Sequence, residues 1–140
     1  MSSPHPRSAR ILLILAGLFG AWAVAAGAYA SHGLAAAVGE GQGARAVSLW
    51  ATGSQYQMVH AVILAVVAEL RQRAGGQGGI LAVAGAFFAV GCLLFPGALY
   101  ALGWWGPSIL GAVAPVGGLA LILGWLSLCV AGFRYAGRRD

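Results

Sequence analysis

The twenty residues from Ile11 to Ala30 carry no charge, and they limit what this chain can become. A helix needs about 20 residues to cross the hydrocarbon core of a bilayer. Two further stretches, Ile80–Leu102 and Ile109–Phe133, are equally free of charge. Only 8% of the 140 residues are charged, against about 25% in a soluble domain. That is too little polar surface to wrap a soluble globule, whereas lipid covers the flanks of a membrane protein without it.

A fourth span is less clean. Met58–Leu70 is interrupted only by His60 and Glu69, but it is too short to cross. A full span ending near Leu70 has to begin near Ala51, which takes Gln55, Tyr56, Gln57 and His60 to membrane depth. Polar side chains at that depth face other helices, water or a ligand rather than lipid. The expected architecture is therefore all-α: a polytopic bundle of four transmembrane helices forming a single membrane domain over residues 1–140. Its spans are 11–30, 51–70, 80–102 and 109–133, with a short outer-surface segment at 31–50.

All eight basic residues are Arg, and their placement gives a direction. Arg7 and Arg10 precede span one, Arg71 and Arg73 follow span two, and Arg134, Arg138 and Arg139 follow span four. Arg45 alone lies between spans one and two, and none lies between three and four. The positive-inside rule then puts both termini on the cytoplasmic side. The net charge of +5 is thus a topology signal, and nucleic acid is not an expected partner. The expected partners are the lipid bilayer and either further copies of the chain or a larger membrane complex.

The segment 31–50 is too polar to span and too apolar to be a free linker. Leu34–Val38 reads as a short surface helix, broken by Gly39, Gly41 and Gly43. Ala44–Trp50 begins helix two before it enters the bilayer, and Trp50, Trp104 and Trp105 mark the outer interface. Gly75–Gly79 reads as a cytoplasmic turn. Glu40 and Glu69 are the two acidic residues outside the tail; Glu69 sits beside Arg71 and Arg73 in an ordinary solvated ion pair. Cys92 and Cys129 lie in apolar segments at different depths and read as two small core residues rather than a bridge. Small-xxx-small pairs at Ala16/Gly20, Ala23/Gly27/Ser31 and Ala120/Gly124 suit close helix contacts, within one chain or between chains.

The unusual residues fall in the outer half. His32 lies just past span one, and Tyr56, Gln57 and His60 share one broad face of span two. His32 and that face are expected to approach each other. Span three carries Pro96 and Gly97, where the missing backbone donor should kink or loosen the helix. Span four carries Pro115, Gly117 and Gly118, read as a second weakened backbone. Two readings of this cluster stay open. Gln55, Tyr56, Gln57 and His60 with His32 line a small polar cavity open to the outside, or the polar side chains satisfy backbone groups freed by the prolines. A buried His60 should be neutral, with one donor and one acceptor partner supplied by Tyr56, Gln57 or a loosened carbonyl.

Two histidines without a carboxylate or thiol at the same depth do not make a metal site, so no metal or other cofactor is expected. No paired carboxylates and no Ser–His–Asp arrangement occur, so catalytic residues are not expected and the chain does not read as an enzyme. A structural or accessory membrane component is the leading reading. A small-solute or proton transporter or channel using His60, and a ligand-binding membrane module, are the alternatives. Four-helix multidrug exporters are similar in size, but they carry an acidic residue in the first span, and this chain has none there.

Four motifs in order, GAYASHGL at 27–34, YQMVHA at 56–61, LFPGALY at 94–100 and APVGG at 114–118, run along nearly the whole chain. In these the chain resembles the YgdD family, small bacterial inner-membrane proteins of unknown function with short eukaryotic transmembrane relatives. The resemblance implies a four-helix membrane protein and no activity. It also bears on Ala28-Tyr29-Ala30, which has the form of a signal-peptidase site. In similar proteins the equivalent stretch continues into the mature chain, and span one is expected to be retained.

Overall fold

The structure is a computed structural model and describes residues 7–39, 41–74, 78–106 and 109–136. The expected turn residues 75–77, Glu40, Arg138 and Arg139 lie outside the described residues. Everything regular within them is helical. Helix α1 spans Arg7–His32 and a short α2 spans Leu34–Val38. Helix α3 spans Gly43–Ala74, α4 spans Gly79–Trp105, and a 3-10 turn over Ile109–Ala112 leads into α5 at Val113–Ala136.

Three of these segments are long and apolar enough to cross a membrane: Arg7–His32, Gly79–Trp105 and Ile109–Arg134. The remaining long helix, α3, has 32 residues and is about 48 Å long at 1.5 Å per residue. It starts earlier and ends later than the expected span: Gly43, expected as a breaker, opens the helix, and the isolated Gly53 within it is tolerated. Gly39 and Gly41 adopt positive φ between α2 and α3, which lets the chain reverse there.

The helices are antiparallel neighbours in chain order. Arg71 Nε donates to Ser8 Oγ at 2.6 Å, tying the end of α3 to the start of α1, and Ser54 Oγ donates to the Ala23 carbonyl at 2.8 Å. Trp50 Nε1 donates to the Tyr100 carbonyl at 2.9 Å and joins α3 to α4. Gly91, Gly117 and Gly124 of the last two helices stand against Leu121, Phe95 and Phe88. α1 packs on α3, α3 on α4, and α4 on α5, while α1 and α5 form no extensive contact. The four long helices thus make an open row rather than a closed ring.

The core lies where the row is thickest. Leu64, Val67, Leu81 and Phe88 are fully buried, with Leu12 and Leu121 packed against them. Outward-facing positions are large and apolar, among them Ile14, Leu18, Val62, Leu93, Leu119 and Ile122. Such a surface suits lipid and not water.

At the Arg-rich end, Arg73 Nε donates to Glu69 Oε1 at 2.7 Å, an exposed i,i+4 pair. Arg71 turns away from Glu69 and donates to Ser8 and to the Gly78 carbonyl. Cys92 is buried as expected, but Cys129 is exposed, because it lies on the outward face of α5.

Candidate functional site

The site is built around proline 96. Its ring nitrogen carries no hydrogen, so the carbonyl four residues earlier, that of Cys92, loses its helical partner. The helix nevertheless runs unbroken from Gly79 to Trp105. Gln57 of α3 supplies the missing donor, with Nε2 3.4 Å from the Cys92 oxygen. Cys92 Sγ in return donates to the Gln57 carbonyl at 3.6 Å, a weak bond. Tyr100 lies one turn beyond Pro96 on the same face, and its hydroxyl donates to Gln57 Oε1 at 2.8 Å. Gln57 thereby holds three groups of α4, two through its side-chain amide and one through its backbone carbonyl. Among the described residues, no buried side-chain nitrogen or oxygen lacks a hydrogen-bond partner.

His60 is buried one turn deeper. Its Nδ1 lies 2.7 Å from the Tyr56 carbonyl, and Trp125 Nε1 of α5 donates to its Nε2 at 3.2 Å. A carbonyl only accepts and an indole N–H only donates, so the two bonds together fit the neutral ring with its proton on Nδ1. The donor is therefore Trp125 rather than Tyr56 or Gln57, and the acceptor is a carbonyl of its own helix rather than one freed by a proline. Phe88 and Trp125 pack edge-to-face beside the imidazole with centroids 5.4 Å apart, and the Tyr56 ring stacks 6.1 Å from it.

The other expected site residues spread out. Tyr56 is exposed at the rim, its ring against Phe95, and Gln55 is exposed. His32 is exposed at the end of α1. Gly20 faces Ala61, so His60 stands near the level of Gly20, and the twelve residues from there to His32 cover about 18 Å. His32 and the Tyr56–His60 face do not come together. Pro115 does not weaken α5. It is the third residue of the helix, where no intrahelical donor is lost and a fixed φ helps the helix start. Gly117 presses against the backbone of Leu94 and Phe95, directly before Pro96, and Gly118 touches the Phe95 ring. Gly97 is exposed with open space where a side chain would stand.

Sequence reading missed Cys92, Tyr100 and Trp125 as partners. The first two were signalled by spacing, since they flank Pro96 at minus four and plus four and so share its face. Trp125 carried no signal, because a tryptophan in an apolar run reads as a packing or lipid-facing residue.

Above the polar pair lies an aromatic wall. The Trp50 ring stands 4.9 Å from Tyr100, 5.5 Å from Tyr29 and 6.2 Å from Trp104. With Trp22 and Gly97 these rings line an apolar groove of about 620 Å3 between α1 and α4. A second hollow of about 350 Å3 continues it inward past Leu18, Phe19, Leu93 and Gln57, sharing Trp22, Gly97 and Tyr100 with the first.

Apolar helices long enough to span, polar groups turned inward onto backbone and aromatic rings gathered at one end define a small all-helical membrane protein. The chain belongs to the family described as Protein of unknown function (DUF423), whose match covers residues 26–118. That stretch holds Gln57, His60, Cys92, Pro96 and Tyr100, while Trp125 lies beyond it. The UPF0382 membrane protein YwdK of Bacillus subtilis is 37% identical over 126 residues, covering 90% of this chain and 98% of its own. A UPF0382 membrane protein of Haemophilus influenzae is 34% identical over 124 residues, covering 87% of this chain and 93% of its own. One from Staphylococcus epidermidis is 33% identical over 128 residues, with 91% and 99% covered. These relatives bear the UPF0382 designation, and the family of unknown function stands under that name. No solved structure matches the chain.

Proposed function

We propose that this protein is a non-enzymatic structural or accessory component of the bacterial inner membrane, built of four spans with both termini cytoplasmic. The observation that carries the reading is the use made of Gln57. Its amide donates to the one carbonyl that Pro96 deprives of a partner and accepts from Tyr100. His60 is likewise occupied on both ring nitrogens. Polar groups at membrane depth that are committed to their own scaffold serve packing, and they leave no chain of open donors and acceptors to carry a solute.

The orientation is supported by charge. Arg7, Arg10, Arg71, Arg73 and Arg134 lie at one end of the row, and Arg45 lies at the other. The fourth span is supported by α3 itself, which packs between α1 and α4 along its length and carries only Glu69, Arg71 and Arg73 as charges after Arg45. The proposed partner is a larger membrane complex or a further copy of the chain.

Reconstitution tests the reading. Vesicles loaded with a pH-sensitive dye and carrying the purified protein should show no proton flux above empty vesicles. A flux abolished by His60→Ala in a protein that still elutes as a single folded species would overturn it in favour of a transporter. For the orientation, a C-terminal alkaline phosphatase fusion should be inactive and the matching fluorescent-protein fusion bright.

A further inference from the structure

We propose that the groove between α1 and α4 binds one acyl chain of a phospholipid from the leaflet on the Trp104 side. The proposal needs only that α1 and α4 cross the bilayer, which length and composition support for both. It therefore stands or falls separately from the accessory role.

The groove exists because α1 and α4 scarcely touch, each leaning on α3 instead. Its mouth is ringed by Tyr29, Trp50 and Trp104, the side chains that settle at a membrane interface. Its far end is walled by Leu18 and Leu93. From Tyr29 to Leu18 is eleven residues of α1, about 16 Å at 1.5 Å per residue. A hydrocarbon core is about 30 Å thick, so this is the depth of one leaflet and the reach of one chain. A groove that began at the interface and ran the whole depth would suit a span of another protein. One that stops at the midplane fits a lipid tail.

A further feature favours a lipid tail. The walls are chiefly apolar: the Tyr100 hydroxyl is paired with Gln57 Oε1, Gln57 Nε2 with the Cys92 carbonyl and the Trp50 indole with the Tyr100 carbonyl, and the other polar atoms belong to the Tyr29, Trp22, Trp104 and Trp105 rings. Exposed Arg45, five residues before Trp50 on another face of α3, lies about 7.5 Å further out and marks headgroup depth on that side.

Gly97 makes the test possible. Its Cα borders the groove and a side chain there meets nothing within 4 Å, so it can be enlarged without displacing the fold. Gly132 on α5 is equally open but lies far from the groove, and serves as the control. Native mass spectrometry of the purified chain, with palmitoyl-oleoyl phosphatidylglycerol added back in mild detergent, should show one retained lipid. Gly97→Phe should weaken retention roughly tenfold, and Gly132→Phe should leave it unchanged. Ala25→Leu narrows the same groove from α1 and should weaken retention in the same direction, which keeps the test open if Gly97→Phe does not fold. Dihexanoyl phosphatidylglycerol, with the same headgroup and short tails, should not be retained. Equal retention by wild type and Gly97→Phe, equal loss in Gly132→Phe, or retention of the short-chain lipid would each overturn the proposal.

Discussion

The two seams that α4 makes with its neighbours differ in what is added to close packing. Towards α3 it is held by hydrogen bonds: Gln57 to the Cys92 carbonyl, Tyr100 to Gln57, and Trp50 to the Tyr100 carbonyl. Towards α5 it is held by proximity, with Gly91 against Leu121, Gly117 against the backbone at Phe95, and Gly124 against the Phe88 ring. In lipid, apolar surface gains nothing by meeting apolar surface, so helices associate through polar bonds or through very close packing. Close glycine contacts occur on both sides of this helix, with Gly53 against Tyr100 and Gly103 against Trp50 towards α3, and among the described residues the side-chain hydrogen bonds of α4 to a neighbouring helix are made towards α3. The lesson lies in tolerance. A hydrogen-bonded seam can be altered by degrees, because a partner can be replaced. The contact at Gly117 cannot, because the space there is set by the backbone of Leu94 and Phe95.

Four substitutions test that contrast, from the largest effect to the smallest. His60 is the point where α3 reaches across to α5. His60→Arg forces a permanent charge into the buried contact between α3 and α5, which, with α3 spanning as proposed, costs about 2.5–3.5 kcal/mol on insertion scales. Its folded yield, read by fluorescence-detected size exclusion, should fall below that of His60→Leu; equal yields would mean that position 60 faces water or headgroups. Gly117→Leu drives a side chain into the backbone of Leu94 and Phe95. That cost belongs at the upper end of overpacking, about 3 kcal/mol, and should appear as a lowered thermal midpoint in detergent. A midpoint like that of wild type would show that α4 and α5 are not in close contact.

Gln57→Leu strands the Cys92 carbonyl and the Tyr100 hydroxyl, at about 1–3 kcal/mol. The sharper measurement is a double-mutant cycle with Pro96→Ala. The new backbone N–H at position 96 can serve the Cys92 carbonyl, so the double variant should recover part of the loss. Strict additivity would mean that Gln57 does not answer Pro96. Trp125→Phe removes only the bond to His60 and keeps the ring against Phe88. In bacteriorhodopsin such interhelical bonds average about 0.6 kcal/mol, so the shift in midpoint should be small. A loss as large as that of Gln57→Leu would make the α3–α5 bond a principal tie of the fold.

Much of this was legible in the residues, and unevenly so. Three long helices follow from uncharged runs alone. The fourth follows from arithmetic, since Met58–Leu70 is too short and has to draw in Gln55, Tyr56, Gln57 and His60. Of those four, Gln57 and His60 are buried while Gln55 and Tyr56 are exposed, because depth along a helix does not fix which face a residue takes. What spacing could not give was the partner across the seam. The bond from Gln57 to Cys92 depends on the register between α3 and α4, and helix register in a bundle is set by packing. Pro115 was misread for a local reason. The chain turns at Ile109–Ala112, so α5 begins only at Val113 and the proline opens the helix instead of interrupting it. His32 was misplaced because proximity at a connection was carried too far down the helices.

The open row of helices has a consequence for how such a chain is made. Each long helix rests chiefly on the one synthesised before it, and none has to be threaded between two already in place. With all four long helices crossing as proposed, the growing chain can settle in the bilayer one antiparallel hairpin at a time, every new segment meeting a finished edge. A closed ring would have to wait for its last member to bring first and last together. Here the contacts allow the order of translation to be the order of assembly.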